Sequence, residues 1–235
     1  MLFKAADIVQ AAFDRAPEFR TRAVDNATVA RAFNQALKAV VFHVYDTDPE
    51  RLAQTYTIEQ QVVAQDPIDL TAVVENDKIV SGRREWLHIY TIDWIGADGD
   101  GDEVWISEIA SRHRAPVDYE GRIIAIAIDQ QRKLRKVGDW SGVHTLEVYG
   151  VLAPQRVSER TLWGQNSPEY DYPAVVEEAV VCKLVTLLAQ SVPGIDRTRR
   201  QEWEADLVDA LERLEADAAD HISSTIRALE VHVDL

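Results

Sequence analysis

The chain has 235 residues, 46% of them hydrophobic, and a formal charge of -15 from 25 basic and 40 acidic side chains. That apolar fraction can build a core, which excludes a disordered tail, and the length suits one large domain or two small ones. The acidic balance works against phosphate backbones and anionic membranes, and a single cysteine, Cys182, excludes an intrachain disulfide.

The stretch from Met1 to Asp7 lacks the long apolar core of a signal peptide, and no apolar run reaches the roughly 18 residues that span a bilayer. The expectation is a soluble protein made in a cytoplasm. Ala5 to Arg15 reads as a short amphipathic helix with Ile8, Val9, Ala12 and Phe13 on one side, ended by Pro17. Asp25 is placed to cap the next helix, which carries Val29, Phe33, Ala36, Leu37, Val40 and Val44 along one face and stops near Pro49.

From Leu52 onward the period shifts towards two. Tyr56 to Ala64 predicts a strand. Trp86 to Ile95 predicts the strongest one, with Trp86, His88, Tyr90, Ile92 and Trp94 on one face. Glu103 to Ala110 pairs back on it as a hairpin. Arg122 to Ile128 and Thr145 to Leu152 complete the set. Ala153 to Tyr172 is a long polar link, of the kind that binds something or lies against a neighbour.

Pro173 then opens a helix in which Val175, Val176, Ala179, Val180, Cys182, Leu184, Leu187 and Leu188 make an apolar surface too wide for one neighbour. Pro193-Gly194 breaks it. A second helix starts near Thr198, with Trp203, Leu207, Leu211, Leu214, Ala218, Ile222 and Ile226 at helical spacing. Its other face is acidic: Glu202, Glu204, Asp206, Asp209, Glu212, Glu215, Asp217 and Asp220. Glu230 to Leu235 alternates like a lone strand. The class expected is α+β: a helical domain from residues 1–50 and 155–235, with an antiparallel β sandwich or barrel inserted at 51–154.

Chemistry-bearing patterns are few. Asp98-Gly-Asp100-Gly-Asp102-Glu103 spaces carboxylates as the start of a calcium loop does. The sixth position is Glu103 where glycine is needed, and the twelfth is Ile109 where glutamate is needed, so a solvated hairpin tip is the favoured reading. The histidines His43, His88, His113, His144, His221 and His232 show no paired helical spacing for a metal. No nucleophile elbow, phosphate-binding loop or dinucleotide fingerprint is present, and no catalytic residue or cofactor is expected. Basic clusters at Arg132, Lys133, Arg135, Lys136 and at Arg197, Arg199, Arg200 read as a protected edge strand and a helix approach. Trp163, beside Gly164 in the polar link, is a candidate anchor for a neighbouring chain.

The run from Tyr172 to Gln190, with its sequel through Ala216-Asp-Ala-Ala-Asp220, resembles the proline-led helix and charged second helix of tailed-phage head–tail adaptor (connector) proteins. Asp139-Trp-Ser-Gly and the strand Thr145 to Leu152 running into Pro154 resemble the strand and loop that precede this helix in phage neck proteins. The resemblance covers about the last hundred residues; the large Trp-rich sheet departs from the compact helical adaptors.

It implies a structural virion protein, not an enzyme. Such a protein forms a ring, usually dodecameric, that docks under the portal protein, extends the DNA channel and meets tail or tail-completion proteins. Val176, Val180, Leu184 and Leu187 would then pack on the adjoining subunit. Val231, Val233 and Leu235 would add as a strand to a neighbouring edge. Glu202, Asp206, Asp209 and Glu212 would face the channel, where like charge lets DNA pass without sticking. Alternatives are a tail-terminator or stopper, an ordinary two-domain cytoplasmic binding protein, and a calcium- or metal-dependent module or hydrolase using Asp93, Asp98, Asp100 and Asp102.

Overall fold

A computed structural model describes residues 2–21, 24–58, 74–75, 78–79, 86–95, 101–107, 125–128, 134–137, 145–163 and 167–233. The protein is α+β. It divides into two compact units: residues 1–52 with 154–235, and residues 53–153.

The first unit holds β1 (Leu2–Lys4), α1 (Ala5–Arg15), α2 (Glu18–Thr21), α3 (Asn26–Thr47), a 3-10 turn (Pro49–Leu52), β10 (Glu169–Asp171), α4 (Ala174–Ser191) and α5 (Arg197–Val233). Asp25 caps α3: its carboxylate accepts from the Thr28 amide at 2.8 Å and from the Thr28 hydroxyl at 2.8 Å. These bonds hold the Asp25 carboxyl below its ordinary range. Lys4 offers α1 no side-chain cap. Ser167 supplies one instead, its buried hydroxyl accepting from the Ala6 amide at 3.1 Å.

Pro173 stands just before α4, with φ -55 and ψ 148, and its carbonyl accepts from the Val176 amide. Its fixed φ suits a helix entry and its missing amide costs nothing there. The chain reverses through Gly194, whose φ of 78 is open to glycine and strained for other residues. Asp196 then accepts from the Thr198 amide at 2.6 Å in the first turn of α5, which lowers its pKa.

Helix α4 packs on α1, α3 and α5. That explains its wide apolar surface within a single protomer. Val176, Ala179, Val180, Cys182, Leu184, Val185 and Leu188 are all buried. Phe3, Phe33, Tyr170 and Tyr172 close one end of this core with ring contacts of about 6 Å.

Among the described residues the second unit holds one eight-stranded sheet, in the order β4-β3-β2-β9-β5-β6-β7-β8. Its strands are β2 (Gln54–Ile58), β3 (Val74–Glu75), β4 (Lys78–Ile79), β5 (Trp86–Ile95), β6 (Gly101–Ser107), β7 (Ala125–Ile128), β8 (Leu134–Val137) and β9 (Thr145–Leu152). The hydrogen-bond ladder joins all eight, where a sandwich would need two sheets. Among the described residues its ends, β4 and β8, are not paired with each other as a barrel requires. Neighbours are antiparallel except β6 and β7, which run parallel. Residues 108–124 connect that pair, a length that permits a parallel crossover where a hairpin turn does not.

One face of this sheet is core: Tyr56, Ile58, Trp86, Ile92, Leu146, Val148 and Leu152 are buried. The predicted alternation along β5 is corrected here. The register slips between Trp86 and His88 and again between Ile89 and Thr91. Each slip is a bulge that adds one residue, so Trp86 and Ile92 keep the core face while His88 pairs with Val151 and falls on the other. Gly150 lies under the bulges; a Cβ there would stand 2.5 Å from the His88 carbonyl oxygen and 3.0 Å from the Trp86 ring.

The carboxy-terminal segment is a second correction. Residues predicted as a lone strand from Glu230 continue α5 as helix to Val233. Four alternating positions carry little weight against a helix that is already propagating, because each further residue adds a hydrogen bond without a new nucleus.

Candidate interface on the carboxy-terminal helices

Helix α5 has 37 residues and so runs about 55 Å. Trp203, Ala210, Leu214 and Ala218 form its buried spine, with Trp203 against Phe19 at 5.5 Å between ring centroids. Ile222 is 41% exposed and leaves the spine expected for it. In its place His221 turns inward, where its Nδ1 lies 2.8 Å from the buried Asp48 carboxylate.

Polar clasps hold this helix to the unit along its length. Arg199 lies 3.5 Å from Glu18 of α2. Arg15 of α1 reaches Asp206 at 3.2 Å with one nitrogen and donates to the Cys182 sulfur at 3.0 Å with the other. Arg213 reaches Glu178 of α4 at 3.2 Å, and His43 of α3 lies 3.1 Å from Glu215. Arg51 of the 3-10 turn pairs with the Asp217 carboxylate and donates to its backbone carbonyl.

These clasps sort the acidic residues. Asp206 and Asp217 are spent inside the protomer, Glu215 lies beside His43, and Glu202 is bound to Arg199 at 2.8 Å. Among the described residues Glu204, Asp209, Glu212 and Asp220 stand exposed without an ion-pair partner. Of the channel-facing candidates, Asp209 and Glu212 are therefore free; Asp206 is corrected to an internal clasp. By helical periodicity Asp209 and Asp220 lie along one edge of the outward side and Glu212 near its middle. Val208, 53% exposed, falls with Ala219 and Ile222 along the other edge, interleaved with the exposed Glu204 and Glu215.

The interface candidates on α4 are also corrected. Val176, Val180 and Leu184 are 1%, 0% and 0% exposed, so no second copy can reach them without unfolding the helix packing. Leu187 is half-buried. The third helix neighbour, α1, takes up the apolar surface that periodicity left unassigned. Val231 and Val233 lie in helical backbone, which removes the strand-addition reading for them; Leu235 lies outside the described residues.

The polar link is explained the same way. Asn34 of α3 donates to the Val157 carbonyl at 2.7 Å and accepts from its amide at 2.8 Å. Tyr170 donates to the Gln155 carbonyl at 2.8 Å. Trp163 donates to Asn26 at 3.1 Å and lies 6.4 Å from the Phe13 ring, half-buried against its own helices. The signals for these contacts, a lone Asn in a helix and a lone Ser in a loop, are too common to read from sequence.

Burial pushes the Cys182 thiol upward, an effect only partly opposed by the Arg15 charge, so the thiol stays protonated at neutral pH. Asp98 and Asp100 of the glycine-rich loop lie outside the described residues. Asp102 belongs to β6, in register with Trp94. Among the described residues no group of three His, Cys, Asp or Glu side chains is placed to hold a metal ion, and no helix is long and apolar enough to cross a membrane. Of the basic clusters, Arg135 and Lys136 lie in β8, an end strand of the sheet. Arg199 and Arg200 lie in the first turn of α5, where Arg199 also sits 5.4 Å from the Trp203 ring. Searched against protein-family models the chain matches none, and no curated protein matches it.

Proposed function

We propose that this chain is a structural protein of a tailed-phage neck: a head–tail adaptor that docks as a ring, with twelve copies, on the portal protein. In this role it prolongs the DNA channel, meets tail or tail-completion proteins, and turns over no substrate. The observation that carries the reading is the outward side of α5. Glu204, Asp209, Glu212 and Asp220 are free there, while Asp206 and Asp217 are tied into the protomer. A polyanion is repelled by such a surface and slides past it.

Two further features support it. A proline-led buried helix followed by a long acidic one stands at the carboxy end, and the helical unit is gathered from both ends of the chain around an inserted sheet. With Val176, Val180 and Leu184 buried, the surface left for a neighbouring copy is the Val208–Ala219–Ile222 edge beside the acids. The test is native mass spectrometry of the full chain mixed with the portal protein encoded in the same genome. The expected result is a ring of this chain bound to the portal ring. A chain that stays monomeric and leaves the portal unbound overturns the proposal.

A further inference from the structure

The open face of the inserted sheet carries an arrangement the adaptor role does not use. Asp93 of β5 stands in register with Glu147 of β9 on one side and with Glu103 of β6 on the other. Like charges directly opposite one another on adjacent strands destabilise a sheet. Among the described residues neither Asp93 nor Glu147 has an ion-pair partner that would relieve this.

Aromatic rings lie alongside. Tyr149, two residues along β9 from Glu147, is 36% exposed. Its ring centroid is 5.5 Å from that of Tyr90, which in turn is 4.5 Å from that of the exposed His88. The cluster exists because the β5 bulges turn His88 and Tyr90 away from the core face. Without those two extra residues the rings would alternate inward with Trp86 and Ile92.

We propose that this face binds an arginine-bearing segment of a partner protein, the guanidinium lying on the Tyr90 and Tyr149 rings and donating to Glu147 and Asp93. A planar cation satisfies both halves of the site: the ring faces attract it and the carboxylates accept its fork of donors. A nucleic acid would gain the stacking but bring phosphate against the carboxylate row. A neutral ligand would leave the carboxylate repulsion in place. This inference is independent of the adaptor reading, since it rests on the other unit of the chain.

The test is fluorescence anisotropy with a short labelled oligo-arginine peptide and the full chain, at low and at physiological salt. Because the whole chain is acidic, the comparison that decides is between two charge-matched variants. Removing Asp93 and Glu147 together (Asp93→Asn with Glu147→Gln) is expected to weaken binding about tenfold; removing Asp209 and Glu212 (Asp209→Asn with Glu212→Gln) is expected to leave it within about twofold. Tyr149→Ala is expected to weaken it comparably to the first pair and to erase the preference for oligo-arginine over oligo-lysine. Should that variant fail to fold, Tyr149→Leu, which keeps bulk without the ring, reads the same loss. Equal loss from both charge pairs means attraction to net charge alone and overturns the proposal. So does unaltered binding without the Tyr149 ring, or salt-independent binding of a neutral oligosaccharide at the same face.

Discussion

At Gly150 a single methyl group would meet backbone, which has no free rotation to yield. Its nearest neighbour would be the His88 carbonyl oxygen at 2.5 Å. Gly150→Ala is expected to destabilise the protein by about 1–3 kcal/mol, the usual cost of overpacking, read by urea unfolding. An unchanged midpoint would mean that the bulges in β5 do not need the close approach. Cys182 gives a second residue-scale test. It is 2% exposed and its thiol is held protonated by burial, so iodoacetamide should label it slowly in the native protein and rapidly in urea. Fast native labelling would contradict its burial on α4 beside Arg15.

At the scale of elements, α4 is the central test of core against interface. Leu184 is fully buried on α4, which packs against α1, α3 and α5, so Leu184→Ala should cost about 2–5 kcal/mol, and the loss should be independent of protein concentration. A loss that fades as concentration rises would restore the interface reading of α4. The helix caps add a pH signature. Asp25 and Asp196 have carboxyls held below the ordinary value of 3.8, chiefly by amide bonds from Thr28 and Thr198. A depressed folded pKa means that the unfolded chain binds more protons in acid. The stabilisation is present above about pH 4 and is lost as pH falls through the folded values. Asp25→Asn, which caps without titrating, should flatten the fall in Tm below pH 4; an unchanged slope would contradict the cap.

Much at this scale was legible in the sequence. The spans Ala5–Arg15, Trp86–Ile95 and Thr145–Leu152, the Asp25 cap and the break at Pro193-Gly194 follow from periodicity, capping chemistry and turn residues. What sequence could not show depends on distant partners. Periodicity says that α4 is apolar on nearly every side but not that α1 supplies the extra neighbour. It says that α5 is acidic but not which acids Arg15 and Arg51 will neutralise. The bulges in β5 have no local marker except Gly150, which lies on another strand. The short ribbon of β1 with β10 is three residues long and joins segments more than a hundred and sixty residues apart, so no local pattern announces it.

For the whole molecule, the proposed adaptor role depends on which surface of α5 would face DNA. Its inward side is committed by Trp203, Leu214 and the clasp of His221 to Asp48; its outward side carries Asp209 and Asp220 along one edge and Val208, Ala219 and Ile222 among acids along the other. A ring built on the Val208 edge would set the Asp209 edges of successive copies around a common bore, where the repulsion of phosphate is summed over subunits. The most direct measurement is a cryo-electron microscopy reconstruction of the full chain assembled on the portal protein of the same genome. The account predicts a closed ring with Asp209, Glu212 and Asp220 lining the bore and Val208 and Ile222 against the adjacent copy. A reconstruction with α5 on the outer wall, or with no ring on the portal, would contradict it.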